Sequence, residues 1–293
     1  MAEKATILVQ LDTDPHPSVF DRVVAIDAGV QQLFSYGGVK PETVTPIVHG
    51  CIFTRGPADL MRTAIFIGGS DVAAGEALLA EVRRVLAPTA GFGLSVSVML
   101  DSNGANTTAA AAVKAAGRHL DLSRANSLVL GGTGPVGQRV ARLLAKCGGN
   151  VRIGSREKAK AETVCATIRA AVPGAKVEAV GVASSSDGPA ALAGRELVVA
   201  AGAPGVVLLP KKIRDTAAAL KVAIDLNGYP PAGIESIELT DKGVDRDGVV
   251  CFGALGVGGT KMKVHKAAIT ELFSASNIVL DIDQVYEIAL KIG

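Results

Sequence analysis

The reading turns on Ser127-Leu128-Val129-Leu130-Gly131-Gly132-Thr133-Gly134-Pro135-Val136-Gly137. Ser127–Leu130 is a short apolar run of strand type, and Val136–Cys147 has helical periodicity. Between them lies a glycine-rich turn. A G-x-G-x-x-G spacing carries weight only in this context, between a strand and a helix within a βαβ unit. Gly132 is assigned the tight turn, Gly134 the close approach of a pyrophosphate, and Gly137 the packing of helix on strand. Thr133, Pro135 and Val136 complete the cradle, and the helix start offers N–H groups and a positive dipole end to phosphate. The bland alternative is a strand–helix turn that binds nothing.

The following strand, Asn150–Ile153, leads into Gly154-Ser155-Arg156-Glu157. An NAD site places an acid near here for the ribose 2′-hydroxyl. This chain has Ser155 and Arg156 instead. Arg156 is suited to a forked pairing with a 2′-phosphate, and Ser155 to a hydrogen bond with it. NADP is therefore the expected cofactor, and Glu157 leaves NAD possible. A basic helix start with no ligand is the competing explanation. Ala201-Gly202-Ala203, after the strand Leu197–Ala201, is expected under the nicotinamide ribose, and Asn227 at the end of Val222–Leu226 beside the nicotinamide.

Outward from this unit, strand-like and helix-like segments alternate. Ala5–Leu11, Ala64–Gly68 and Leu94–Leu100 read as strands, and Ala73–Leu86 and Asn106–Gly117 as helices. Lys158–Ala171, Lys263–Phe273 and Asp283–Lys291 read as further helices. Such alternation implies parallel sheets with right-handed crossovers. The fold class is α/β in two domains: a Rossmann-type parallel-sheet domain, and an α/β N-terminal substrate domain closed by the C-terminal helix. Boundaries are placed at 1–106, with 274–293 returning to it, and at 107–273.

Composition agrees. The 293 residues are 48% hydrophobic but only 3% aromatic, with no Trp and 34 Gly. The core is then built of Ala, Val, Leu and Ile, as suits parallel sheets. A net charge of +2 without a clustered basic patch argues against nucleic acid. Four scattered cysteines and four histidines without ligand spacing suggest neither zinc, a redox dithiol nor any other metal. The run Ala5–Leu11 is too short for a leader core, and no stretch approaches the ~18 apolar residues of a membrane helix. The expected location is the cytoplasm. The expected assembly is a homo-oligomer, with no nucleic-acid or membrane partner.

Three further blocks complete the pattern. They are Asp12-Thr13-Asp14-Pro15-His16-Pro17-Ser18-Val19-Phe20-Asp21, Asp101-Ser102-Asn103-Gly104-Ala105-Asn106-Thr107-Thr108, and Phe252-Gly253-Ala254-Leu255-Gly256-Val257-Gly258-Gly259-Thr260-Lys261. With the glycine turn, the whole chain resembles the NAD(P)-dependent methylene-tetrahydromethanopterin dehydrogenases of methylotrophic bacteria. The resemblance implies hydride transfer from the methylene bridge of a reduced pterin to NADP or NAD, within formaldehyde oxidation. Tetrahydromethanopterin would be the co-substrate carrier. Asn103, Thr108 and Lys261 are expected at the reaction site. Asp14, Asp21, Thr107 and Lys261 are expected against the pterin. Helix capping competes for the Asn103–Thr108 block, a solvated turn for Asp14 and Asp21, and a surface lysine for Lys261. Three alternatives stay open: a methylene-tetrahydrofolate dehydrogenase, a shikimate-type NADP dehydrogenase, and a dinucleotide-binding sensor. The shikimate type relies on a Lys–Asp pair in its first domain, whereas only Lys4 and Lys40 precede the Asn103 block here.

Overall fold

A computed structural model describes residues 4–293, and Met1–Glu3 lie outside the described residues. The chain runs β1 (Ile7–Asp12), α1 (Val19–Asp27), β2 (Gln32–Tyr36), α2 (Thr45–Phe53), β3 (Thr63–Gly68), α3 (Val72–Ala90), β4 (Ser97–Leu100) and α4 (Ala105–Gly117). It continues through β5 (Asn126–Leu130), α5 (Pro135–Lys146), β6 (Asn150–Ser155), α6 (Lys158–Ala171), β7 (Lys176–Gly181), α7 (Gly188–Leu192), β8 (Leu197–Ala200), α8 (Lys211–Arg214) and β9 (Val222–Asp225). It closes with β10 (Lys242–Arg246), β11 (Val249–Phe252), α9 (Ala254–Glu271), β12 (Val279–Leu280) and α10 (Ile282–Lys291). Contacts divide it into two units. One comprises the chain up to Thr107 together with Met262–Gly293, and the other Thr108–Lys261.

The first unit holds a five-stranded sheet, ordered β12-β4-β3-β1-β2, with every pairing parallel. All six residues of β3 are buried, so Thr-Ala-Ile-Phe-Ile-Gly reads as an apolar run without alternation, as expected of a strand covered on both faces. On one face Val9, Leu11, Ile65 and Ile67 pack with Val48 and Ile52 of α2 and Leu78 and Val82 of α3. Asp71 caps α3 by accepting from Ala74 N at 3.0 Å. The helix runs on through Pro88 to Ala90, past the end at Leu86 expected from the sequence.

The return to this unit comes at Met262, inside α9, rather than at residue 274. Val264, His265, Ala268 and Ile269 are buried. The His265 ring stacks on Phe66 of β3 with centroids 5.5 Å apart.

The second unit holds a seven-stranded sheet, ordered β10-β11-β9-β8-β5-β6-β7. Read from β7 to β11, this is the doubly wound dinucleotide-binding order, whose ligand crevice lies where the winding reverses, between β5 and β8. Only β10, at one edge, runs antiparallel. One face is filled by Leu128, Leu130, Val198, Ala200, Ala223 and Ile234.

Burial also governs the thiols. It pushes Cys51 up to about 12 and Cys251 up to about 11. Cys165 is buried, and only Cys147 is partly exposed. Because the thiolate is the reactive form, an aromatic disulfide reagent at pH 8 is expected to titrate at most one thiol of the native protein. All four should react in denaturant. Four fast thiols in the native state would contradict the buried placement.

Candidate functional site

The turn after β5 is built as its sequence demands, with one shift. The left-handed backbone falls on Gly131, at φ 67°, and not on Gly132. A Cβ on Gly131 would also stand 2.6 Å from Gly202 Cα. A Cβ on Gly132 would stand 2.6 Å from Ile153 Cγ2, and one on Gly137 2.8 Å from Gly132 Cα. These three glycines are required by the chain's own packing. Gly134 differs: the nearest atoms to a Cβ there are Gly131 O at 3.4 Å and Ala201 O at 3.5 Å, ordinary contacts. Nothing among the described residues forces glycine at 134, and the room beside it suits a ligand.

Gly134 is also the N-cap of α5, with Pro135 in the first turn and no side chain capping it. Gln138 Nε2 donates to Thr133 O at 2.7 Å and holds the loop onto the helix. Uncapped N–H groups at a helix start form an anion site. Ala201 N donates to Leu130 O at 2.9 Å, so Ala201 and Gly202 sit directly beside the turn. Ala203 is exposed.

At the end of β6, Ser155 Oγ accepts from Glu157 N at 3.3 Å, and its own hydrogen remains to donate. Arg156 is exposed. The Glu157 carboxylate is held by Lys160 at 2.7 Å on the first turn of α6. Both members of that pair are largely exposed, so it adds little stability.

Asn227 is buried and its amide is occupied. Its Oδ1 accepts from Tyr229 N at 3.1 Å and its Nδ2 donates to Pro231 O at 3.1 Å. Beneath it lies Asp225, whose carboxylate accepts from Asn227 N and Ile234 N, each at 3.0 Å. Burial raises its pKa against the lowering effect of those backbone donors.

In the first unit, polar groups gather at the carboxyl ends of β1, β3 and β4. Asp12 is fully buried and accepts from Asp14 N and Ser18 N, each at 2.9 Å. Asp14 is committed as well: its two oxygens accept from Ser70 N and Ser70 Oγ, each at 2.9 Å. Asp21 is half-buried on the first turn of α1, with Oδ2 near Gly68. Asp101, also buried, accepts from Asn106 N at 2.9 Å, Thr107 N at 3.0 Å and Thr107 Oγ at 2.6 Å. The capping group of α4 is thus Asp101, and Thr107 is spent on it. Asn103 is exposed at φ 54°, with its N–H donating to Gly69 O. Asp12 and Asp101 were not singled out from sequence. Their signal is an acid closing an apolar strand just before a run of turn and cap residues.

Thr108 and Lys261 are half-buried, the first and last residues of the second unit, on α4 and α9. The glycine-rich block before Lys261 is helix and not loop. Gly253 and Gly256 lie against the 238–242 backbone, where a Cβ would collide with Glu238 O and Asp241 O. Two cavities of about 380 and 350 Å³ in this unit, beside Asp121, Arg124 and Glu196 and beside Arg152 and Arg169, lie toward the amino ends of the strands. Ligands of such sheets bind at the carboxyl ends.

Strand order, glycine turn and polar strand end together define a nicotinamide-nucleotide dehydrogenase built from two α/β units. The model of the family described as methylene-tetrahydromethanopterin dehydrogenase, N-terminal, matches residues 19–103. The bifunctional protein MdtA of Methylorubrum extorquens is 42% identical over 292 residues, 98% of this chain and 99% of that one. The NAD(P)-dependent methylenetetrahydromethanopterin dehydrogenase of the same organism is 30% identical over 304 residues, again 98% and 99%. The shikimate 5-dehydrogenase of Listeria monocytogenes shares the fold alone, at 14% identity and a TM-score of 0.54 over 97% and 96% of the two chains. The chain belongs to the NAD(P)-dependent methylene-tetrahydromethanopterin dehydrogenase family. Among the described residues, no helix is long and apolar enough to cross a membrane.

Proposed function

We propose that this protein oxidises methylene-tetrahydromethanopterin to the methenyl form, with NADP, and less readily NAD, taking the hydride. Similarity over nearly the whole chain to the NAD(P)-dependent methylenetetrahydromethanopterin dehydrogenase of M. extorquens carries this reading. The open side of Gly134 and the uncapped α5 start support the dinucleotide half of it. When bound, the nicotinamide ring would supply the electrophilic carbon that accepts the hydride. The hydride leaves the methylene carbon with both bonding electrons, and the cation left between two nitrogens is stabilised by the substrate itself. No proton moves in this step, so no general base is required. The task of the chain is to hold the two carbons about 3–3.5 Å apart.

In this reading Gly132–Gly137 hold the pyrophosphate. Ser155 and Arg156 hold the 2′-phosphate, and Ala201–Ala203 lie under the nicotinamide ribose. Asn103, Thr108 and Lys261 serve the pterin side. Asp14, Asp21 and Thr107 shape the loops that carry it. Buried free thiols are in keeping with a reducing, cytoplasmic setting. The exposed apolar side chains Val19, Val23 and Ile26 on α1 support a homo-oligomer.

The direct test is reduced-nicotinamide absorbance with methylene-tetrahydromethanopterin, running methylene-tetrahydrofolate in parallel. No reduction with the methanopterin would remove the reading. Arg156→Ala is expected to lower the NADP-to-NAD ratio of kcat/KM by roughly 10- to 100-fold, the worth of a charged hydrogen-bonded pair. An unchanged ratio would mean that Arg156 does not meet the 2′-phosphate.

A further inference from the structure

Tyr229 is 67% exposed, at the tip of the loop that follows β9. An exposed aromatic on a mobile loop would mean little, but this loop is pinned. Asp225 accepts from Asn227 N and Ile234 N at its base. Asn227 accepts from Tyr229 N itself. Leu208 N and Leu209 N donate to Gly233 O at 2.8 and 3.0 Å, tying it to the loop after β8. Pro230 and Pro231, each fixed in φ, follow directly. The backbone of Tyr229 is therefore held by buried polar groups, whereas its ring has no ring or hydrogen-bond partner among the described residues.

The surroundings repeat the theme. Leu255, in the first turn of α9 after β11, is 63% exposed, and a Cβ on Gly228 would stand 3.9 Å from its neighbour Ala254. Three bare apolar side chains, Val206, Tyr229 and Leu255, thus come from the segments that follow β8, β9 and β11, all at the carboxyl edge of the sheet. Strand order says which ring they serve. In sheets of this order a dinucleotide crosses at the reversal, here between β5 and β8, which would set its adenosine half toward β6 and its nicotinamide half over the end of β8. The β9 loop lies one strand further from the adenosine side, a spacing of about 4.8 Å. That is the place of the molecule that faces the nicotinamide.

We infer that Tyr229 is a substrate-positioning residue, its ring stacking on the flat pyrimidinone ring of the reduced pterin. The inference rests on the reading above. Its test uses the full-length protein with methylene-tetrahydromethanopterin, alongside titration of NADP and size-exclusion chromatography with light scattering. Tyr229→Ala is expected to raise the KM for the pterin roughly tenfold or more, in line with ring stacking on an aromatic. NADP affinity and oligomeric state should stay as in wild type. Tyr229→Phe should restore KM to within about twofold, because the face and not the hydroxyl is used. A wild-type KM in Tyr229→Ala overturns the inference and leaves the reading standing. So does a change in NADP affinity alone, which would put the ring on the nicotinamide, or a change in oligomeric state, which would put it in a subunit contact. A wild type that neither binds nor oxidises the pterin overturns both together.

Discussion

Gly134→Ala is expected to leave thermal stability within about 2 °C of wild type and to weaken NADP binding at least tenfold, with Gly134→Val reaching roughly a hundredfold. The reasoning is steric. In the free chain a methyl at this position makes only ordinary contacts, at 3.4 and 3.5 Å. In the proposed complex the same volume would belong to the pyrophosphate. Gly132→Val supplies the contrast. Its Cβ meets Ile153 Cγ2 at 2.6 Å, so it should cost about 1–3 kcal/mol of stability, as overpacking does. Titration calorimetry and thermal melts, run on all three variants, separate the two effects. Equal stability loss in Gly134→Ala and Gly132→Val would mean that position 134 is structural, and the pyrophosphate assignment would fail.

Asp101→Ala should be among the most destabilising single changes in the first unit. The carboxylate is 1% exposed and satisfies two amides and a hydroxyl at the start of α4. Removing it strands buried donors at about 1–3 kcal/mol each and deletes a cap worth about 1 kcal/mol. A net loss of roughly 3 kcal/mol corresponds to a Tm drop on the order of 10 °C in a chain of this size. Asp101→Asn keeps one acceptor and should lose less than half as much. Thr107→Val removes only the hydroxyl and should cost about 1 kcal/mol. An unshifted Tm with lost turnover in Asp101→Ala would reassign the group from helix cap to substrate ligand.

The dinucleotide half of this protein was legible because its motif is local. Strand, glycine turn and helix are contiguous in sequence, and each glycine answers to a constraint within the same βαβ unit. Even there, the positive φ was carried by Gly131 rather than Gly132. A side chain at that position would also meet Gly202, from a distant part of the chain. The first unit was less legible. Gln32–Tyr36 is an edge strand with alternating exposure and no β-branched residue, and α1 turns Val19, Phe20, Val23 and Ile26 outward. Neither segment carries the usual apolar-inward pattern.

The start of α9 is the clearest miss. Gly256, Gly258 and Gly259 each weaken a helix by roughly 0.5–1 kcal/mol, so local propensity argues for a loop. The contact of Gly253 and Gly256 with the 238–242 backbone, which no side chain could make, overrides it. The candidate site divides along the same line. Cap and turn acids such as Asp12 and Asp101 mark themselves only through the partners that the fold brings to them. Polar residues picked for their ligand chemistry, Asn227 and Thr107 among them, turned out to be occupied in holding loops.

The near-contact of Gly131 with Gly202 has a consequence for how affinity is assembled. The turn after β5 and the turn after β8 touch backbone to backbone, so in the proposed placement the floor beneath the phosphates and the floor beneath the nicotinamide ribose are two segments packed against each other. A ligand that fills one half finds the other already shaped. Little ordering entropy is left to be lost when the second half arrives. Adenosine-side and nicotinamide-side fragments should therefore bind this unit independently. Their joining into one molecule should gain chiefly the entropy of tethering.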